Sequence, residues 1–160
     1  MPSFVKPSRA FAVATLCAGL LGIHAGAHAG SAVYGAAKGP AIGGYDPVAY
    51  FTDGAPKEGD PRYTLEWNGA TWRFASAENR ERFKAEPERY APQYGGYCAY
   101  AMSTDSFSPG DAKRWRIEGG KLYLNANIIA QSLWETDIPK RVIRADGHWP
   151  ARKQELEASP

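Results

Sequence analysis

The stretch Arg62-Tyr63-Thr64-Leu65-Glu66-Trp67-Asn68-Gly69-Ala70-Thr71-Trp72-Arg73-Phe74-Ala75 decides the fold. Side-chain character alternates along "RYTLEW" and again along "ATWRFA", the two-residue period of a half-buried strand. Asn68-Gly69 between them is the pair that best tolerates positive φ, so the stretch predicts a β-hairpin with a tight primed turn. Tyr63, Leu65 and Trp67 share one face of the first strand, and Trp72 and Phe74 share one face of the second. Large rings paired across a hairpin build a core rather than a stacking platform for sugars or bases.

Moving outward, Ser76 predicts the N-cap of a helix over "AENRERFKAE", with Glu78 in its first turn and Phe83 facing inward. Pro87 ends that helix, and "PERYAP" gives a further short turn. Upstream, Asp46 suits an N-cap and Pro47 the first helical position, which predicts a helical turn over Val48 to Phe51. "TDGAPKEGDP" (52–61) is a loop by its Gly, Pro and Asp content. Downstream, "RWRIE" and "KLYLN" flank Gly119-Gly120 and predict a second hairpin. Asn127 caps "IIAQSLWET", where Ile128, Ile129, Leu133 and Trp134 fall at helical spacing. Pro139 opens "KRVIRADGHW", with Val142, Ile143 and Trp149 on one side. Two hairpin-plus-helix halves imply an α+β class: a compact single domain with two β-hairpins and several short helices. No sequence repeat between the halves is evident.

The ends read differently. Lys6 and Arg9 precede the apolar run "AFAVATLCAGLLGI", and Ala27-His28-Ala29 follows as an A-x-A site, so residues 1–29 predict a signal peptide. The run is shorter than the roughly 20 apolar residues of a membrane span, so no stable membrane insertion is expected after cleavage near Ala29. The expected location is periplasmic or secreted. Residues 30–41 are small and glycine-rich and predict a flexible leader, and 151–160 predict a charged, fraying tail. Cleavage removes two of 19 basic residues and none of the 17 acidic ones, which leaves a formally neutral chain. A neutral, mixed surface gives no electrostatic case for nucleic acid.

Cleavage also leaves one cysteine, one histidine and one methionine: Cys98 in "YGGYCAYA", His148 in "DGHWP" and Met102. A lone cysteine in an oxidising compartment is buried, liganded, modified or paired with another chain. Three readings stay open. Cys98 and Met102 lie four apart, hence on one face of a helix, and with His148 they supply donor types that suit copper or another soft metal. Alternatively, Cys98 is a small buried hydrophobe in a structural or protein-interaction module, or, if exposed, the link of a homodimer. The third reading is a thiol-dependent redox enzyme, with Cys98 in the first turn of a helix where the dipole favours thiolate. That reading lacks a C-x-x-C pair and a resolving cysteine, and binding is favoured over catalysis.

"GGYDPVAYF", "WNGATWRFASAENRERFKAEPERYAPQYGGYCAY", "GKLYLN" and "DIPKRVIRADGHWP" together resemble the exported, single-domain branch of the YHS-domain proteins over about 42–150. The resemblance implies a small α+β unit and, through the family's association with copper-transporting ATPases, a metal-binding role. The metal-associated pattern resembles D-P-V-C-G-M followed by Y-x-F-C-S-x-x-C. Here Asp46-Pro47-Val48 continues as Ala49-Tyr50-Phe51, and Phe74-Ala75-Ser76-Ala77-Glu78-Asn79 carries neither later cysteine, so that thiolate cluster is absent.

Overall fold

Both expected hairpins are present. The computed structural model describes residues 31–159, so the expected signal peptide lies outside the described residues. β1 (Asp60–Trp67) pairs antiparallel with β2 (Ala70–Phe74), and β3 (Asp111–Glu118) with β4 (Lys121–Asn125). Asn68 and Gly69 take φ of 52° and 71°, the left-handed pair that a primed turn requires. Among the described residues, six α-helices frame the two sheets: α1 (Ala49–Thr52), α2 (Ala77–Ala85), α3 (Pro87–Tyr90), α4 (Ala99–Ser103), α5 (Ile128–Glu135) and α6 (Ile138–Ala158). The chain is an α+β single domain with two hairpins, as expected.

The main core lies between the hairpins. Trp72, Phe74 and Phe83 are fully buried with Leu122 and Leu124 of β4, and Tyr63, Leu65 and Trp67 pack against them. The Tyr50 hydroxyl donates to Ala112 O at 2.9 Å and so ties α1 to β3. Ser76 caps α2 through Asn79 N–H at 3.1 Å, and Asn127 caps α5 through Ala130 N–H at 2.9 Å, both as the sequence implies.

Asp46 does more than cap a turn. It is fully buried, and its two oxygens accept three hydrogen bonds: from Val48 N–H at 2.8 Å, Ala75 N–H at 2.8 Å and Asn79 Nδ2 at 2.7 Å. One carboxylate thus holds the start of α1, the end of β2 and the first turn of α2. A buried charge is tolerable only when its lone pairs are satisfied in this way.

The two halves are copies of one unit, although no repeat is evident in the sequence. Each begins with a 3-10 turn, Ala41–Gly44 or Gln93–Gly96. The backbone of Ile42, Gly43 and Gly44 runs through φ of 45°, 70° and 83°, and that of Tyr94, Gly95 and Gly96 through 54°, 62° and 86°. Next come isolated bridges from Tyr45 to Glu58 and from Tyr97 to Pro109, then α1 or α4. Both hairpins break register near the start, between Asp60 and Thr64 and between Asp111 and Trp115. At both breaks an aspartate accepts a backbone N–H at 2.8 Å, Arg62 to Asp60 and Lys113 to Asp111. A side-chain-capped helix closes each unit and buries one ring, Phe83 or Trp134. In sequence the common residues reduce to Gly-Gly-Tyr, an alanine and Thr-Asp, namely Gly43-Gly44-Tyr45, Ala49 and Thr52-Asp53 against Gly95-Gly96-Tyr97, Ala101 and Thr104-Asp105. Cys98 stands in the second unit where Asp46 stands in the first.

Several local expectations change. The segment expected to be a flexible leader packs: Ala32 and Val33 are buried, and Tyr34 N–H donates to Gly95 O at 2.9 Å. A Cβ at Gly95 would collide with Ala32 O, so glycine is what lets the segment approach. The segment expected to be a fraying tail continues α6 to Ala158 through Pro150. Arg152 anchors this extension beyond the proline, donating from Nε to Asp105 Oδ1 at 2.9 Å and from Nη2 to Asp105 O at 3.0 Å. On α5 the buried stripe is Ala130 and Trp134, whereas Ile128, Ile129 and Leu133 are exposed. On α6 Ile143 is exposed too, whereas Val142 and Trp149 pack inward as expected, beside the fully buried Ala145.

α6 is also fastened by Tyr94, whose hydroxyl donates to Asp146 Oδ1 at 2.9 Å. Burial, and then this bond to a carboxylate, push the Tyr94 phenol well above the ordinary tyrosine range, and burial does the same to Tyr50. The folded state therefore keeps protons that the unfolded chain releases near pH 10, so stability is full below about pH 10 and falls as pH rises further. Urea unfolding measured across that range should show the fall, with a shallower slope in Tyr94→Phe. Asp46→Ala, which orphans the buried Val48 N–H and the part-buried Ala75 N–H and Asn79 Nδ2, should cost about 2 kcal/mol or more with an unchanged m-value.

Candidate functional site

The second unit's opening turn delivers Cys98. After the left-handed run of Tyr94 to Gly96, Tyr97 N–H returns to Tyr94 O at 3.0 Å and Cys98 N–H donates to Ser108 O at 2.9 Å. Cys98 then caps α4 from non-helical backbone, with Sγ accepting Ala101 N–H at 3.5 Å. Its thiol faces Asn125 Oδ1 at 3.7 Å, and the same oxygen accepts Tyr100 N–H at 3.2 Å. Cys98 is 1% exposed, yet it forms part of the wall of a groove of about 300 Å³ between α4 and α5. Ala101, Ala126, Ala130, Ile129 and Leu133 make most of that groove apolar.

Its counterpart in the first unit has a different lining. There Lys57, Ala75, Ser76, Glu78, Asn79 and Arg82 line the corresponding hollow. The second unit places Ser108, Ala126, Asn127, Ile129, Ala130 and Leu133 at the same steps of its turn, strand end and helix. Asn79, which reaches Asp46, is replaced by Ala130, and the charged pair Glu78 and Arg82 by Ile129 and Leu133. A carboxylate with its donors has become a thiol with methyl groups. Asn125 bridges the difference from the neighbouring strand, and its Nδ2 has no hydrogen-bond partner among the described residues.

The three residues read as metal donors are not brought together. Cys98 packs with Ala101 and Ala130, whereas Met102 is fully buried in a separate cluster with Tyr94, Tyr123 and Trp134. The four-residue spacing fails to align them because Cys98 caps α4 from non-helical backbone instead of lying on its face. His148 is on α6, half-buried, with Nδ1 3.5 Å from Asp105 Oδ1. The Arg152 guanidinium beside that carboxylate holds Asp105 below the usual carboxylate range. Among the described residues no three His, Cys, Asp or Glu side chains gather closely enough to hold a metal ion. The donors present do not fit the family's soft-metal cluster.

Sequence reasoning missed Asn125 and the apolar lining supplied by Ala126 and Ala130. The repeated Gly-Gly-Tyr, which sets Cys98 opposite Asp46, is the signal that points to them. Because Cys98 is enclosed, a thiol reagent should label the native protein more than about a hundredfold slower than the urea-unfolded chain, the factor that a local opening of about 3 kcal/mol imposes. Equal rates, followed by absorbance of the released thiolate, would show an open thiol.

Comparison with known proteins matches residues 48–94 to the YHS domain. No curated protein and no solved structure matches the chain. The matched segment runs from α1 through β1, β2, α2 and α3 to Tyr94, which is nearly all of the first unit, whereas Cys98 and its groove belong to the second. A YHS domain thus occupies residues 48–94, and the thiol groove lies just beyond it.

Proposed function

We propose that the protein is an exported binding module built on a YHS domain, and that it recognises an apolar part of a protein partner through the groove between α4 and α5. The setting of Cys98 carries this reading: an enclosed thiol, hydrogen-bonded on both sides, beside a groove walled by Ala101, Ala126, Ile129 and Leu133. A nucleophilic or redox thiol needs an adjacent base or a resolving partner and an open approach. Around the groove, Ile128, Ile129 and Leu133 are 55%, 68% and 40% exposed, an apolar surface of the kind that forms interface centres.

A second reading, copper or another soft metal bound through Cys98, is favoured by one observation: Cys98 lies in the groove wall. It also agrees with the metal association of YHS domains. Under this reading the remaining donors come from outside the set Cys98, Met102 and His148.

Copper(I) titration under reducing conditions, followed by native mass spectrometry, separates the two. The interaction reading expects the wild type and Cys98→Ala to bind the same number of copper ions; loss of one equivalent in the variant transfers the site to the metal. In parallel, the apolar dye anilinonaphthalene sulfonate should bind the native protein, and Leu133→Asp should weaken that binding about fivefold or more at unchanged stability. Dye binding that ignores Leu133→Asp would remove the groove from the account.

A further inference from the structure

A second cleft, separate from the thiol groove, is built from both units and from both ends of the described chain. It has a volume of about 320 Å³, within the range of small-molecule sites. Two half-buried indoles, Trp67 and Trp149, line it, with Asn68, Glu88, Gln93 and Lys153 as its polar groups. The geometry points to a binding site for a neutral carbohydrate ring.

The frame is held before any ligand arrives. Ser31 Oγ donates to Asn68 O at 3.2 Å, and Tyr34 N–H donates to Gly95 O at 2.9 Å, so the leader is stapled along the cleft floor. Trp67 packs edge-on against Phe83 with ring centroids 5.5 Å apart, and Trp149 against Tyr94 at 6.0 Å. Trp72, deeper in the wall, donates its indole N–H to Trp67 O at 3.0 Å. Preformed walls spare a ligand the entropy of ordering them.

Chemistry narrows the ligand class. The lining carries one carboxylate and one ammonium, so its formal charge is zero and neither an anion nor a cation is selected. The Lys153 ammonium is already 3.7 Å from Glu157. Acceptors (Glu88), donors (Lys153) and groups that do both (Asn68, Gln93) sit in one cleft, and hydroxyls are the ligand groups that satisfy all three. Indole supplies an apolar face with a polar edge, which suits a ring with axial C–H on one side and hydroxyls around its rim. Trp149 and Lys153 come from α6, so residues 48–94 alone lack one of the two indoles and the ammonium. This cleft shares no lining residue with the Cys98 groove, and its fate is independent of the function proposed above.

Tryptophan fluorescence of the full chain, titrated with glucose, N-acetylglucosamine and maltose, tests the proposal, with tetramethylammonium chloride and sodium phosphate as charged controls. At least one sugar should give a saturable change and neither ion should. Gln93→Ala and Lys153→Ala should each weaken that response about fivefold or more while their urea unfolding curves stay those of the wild type. Trp149→Ala should abolish it, and Cys98→Ala should leave it untouched. No saturable response to any of the three sugars, a stronger response to either ion, or unaltered binding in both Gln93→Ala and Lys153→Ala would overturn the assignment.

Discussion

The fold depends on one buried carboxylate. Asp46 has no solvent contact, and its oxygens are satisfied instead by Val48 N–H, Ala75 N–H and Asn79 Nδ2, which converge on it. Those three donors belong to the helix before the first hairpin, the strand that ends it and the helix after it. Displacing any one of these elements would leave a charge or a donor unpaired in the interior, at a cost of a few kcal/mol. The apolar core supplies most of the driving force, but it is tolerant of small shifts. The carboxylate is not, and it fixes how the three elements meet.

In the second unit the same junction is solved without charge. Cys98 occupies the Asp46 position, caps its helix more weakly through sulfur, and takes a single side-chain partner from Asn125. The loss of donors there is matched by a change of neighbours from Asn79, Glu78 and Arg82 to Ala130, Ile129 and Leu133. Apolar replacement of both a buried polar group and its partner is close to neutral for stability, which is how such an exchange is tolerated. It also frees a surface. The first unit keeps a polar hollow, and the second has gained an apolar groove.

Local chemistry made most of the elements legible. Asn68-Gly69 and Gly119-Gly120 announce their hairpins, Ser76 and Asn127 announce their helices, and Phe83 turns inward where its spacing places it. Three features depend on contacts that no local pattern carries. Ile128, Ile129 and Leu133 have helical spacing, but Ala130 and Trp134 form the inner stripe, because an apolar helix does not declare which face meets the core. The charged residues 151–160 read as a fraying tail, whereas Arg152 and Asp105, distant in sequence, carry α6 through them. The duplication survives as left-handed backbone and hydrogen-bond positions, with Gly-Gly-Tyr, an alanine and Thr-Asp as its residue in sequence. Cys98 was identifiable as the thiol to explain; its separation from Met102 and His148 follows from a cap geometry that counting residues does not give.

The contact of the leader with Gly95 bears on the order of folding. Ser31 and Tyr34 are among the first described residues to be synthesised, but their partners, Asn68 and Gly95, are made much later. Closing such long loops waits until the intervening chain has ordered, since loop entropy is repaid only by contacts already in place. Tyr34 to Gly95 spans far more chain than Asp46 to Ala75 or Asn79, so the first unit forms ahead of that contact. The N-terminal residues act as a latch that shuts after the second unit's opening turn exists. A chain interrupted before Gly95 would hold a folded hairpin with its beginning still loose.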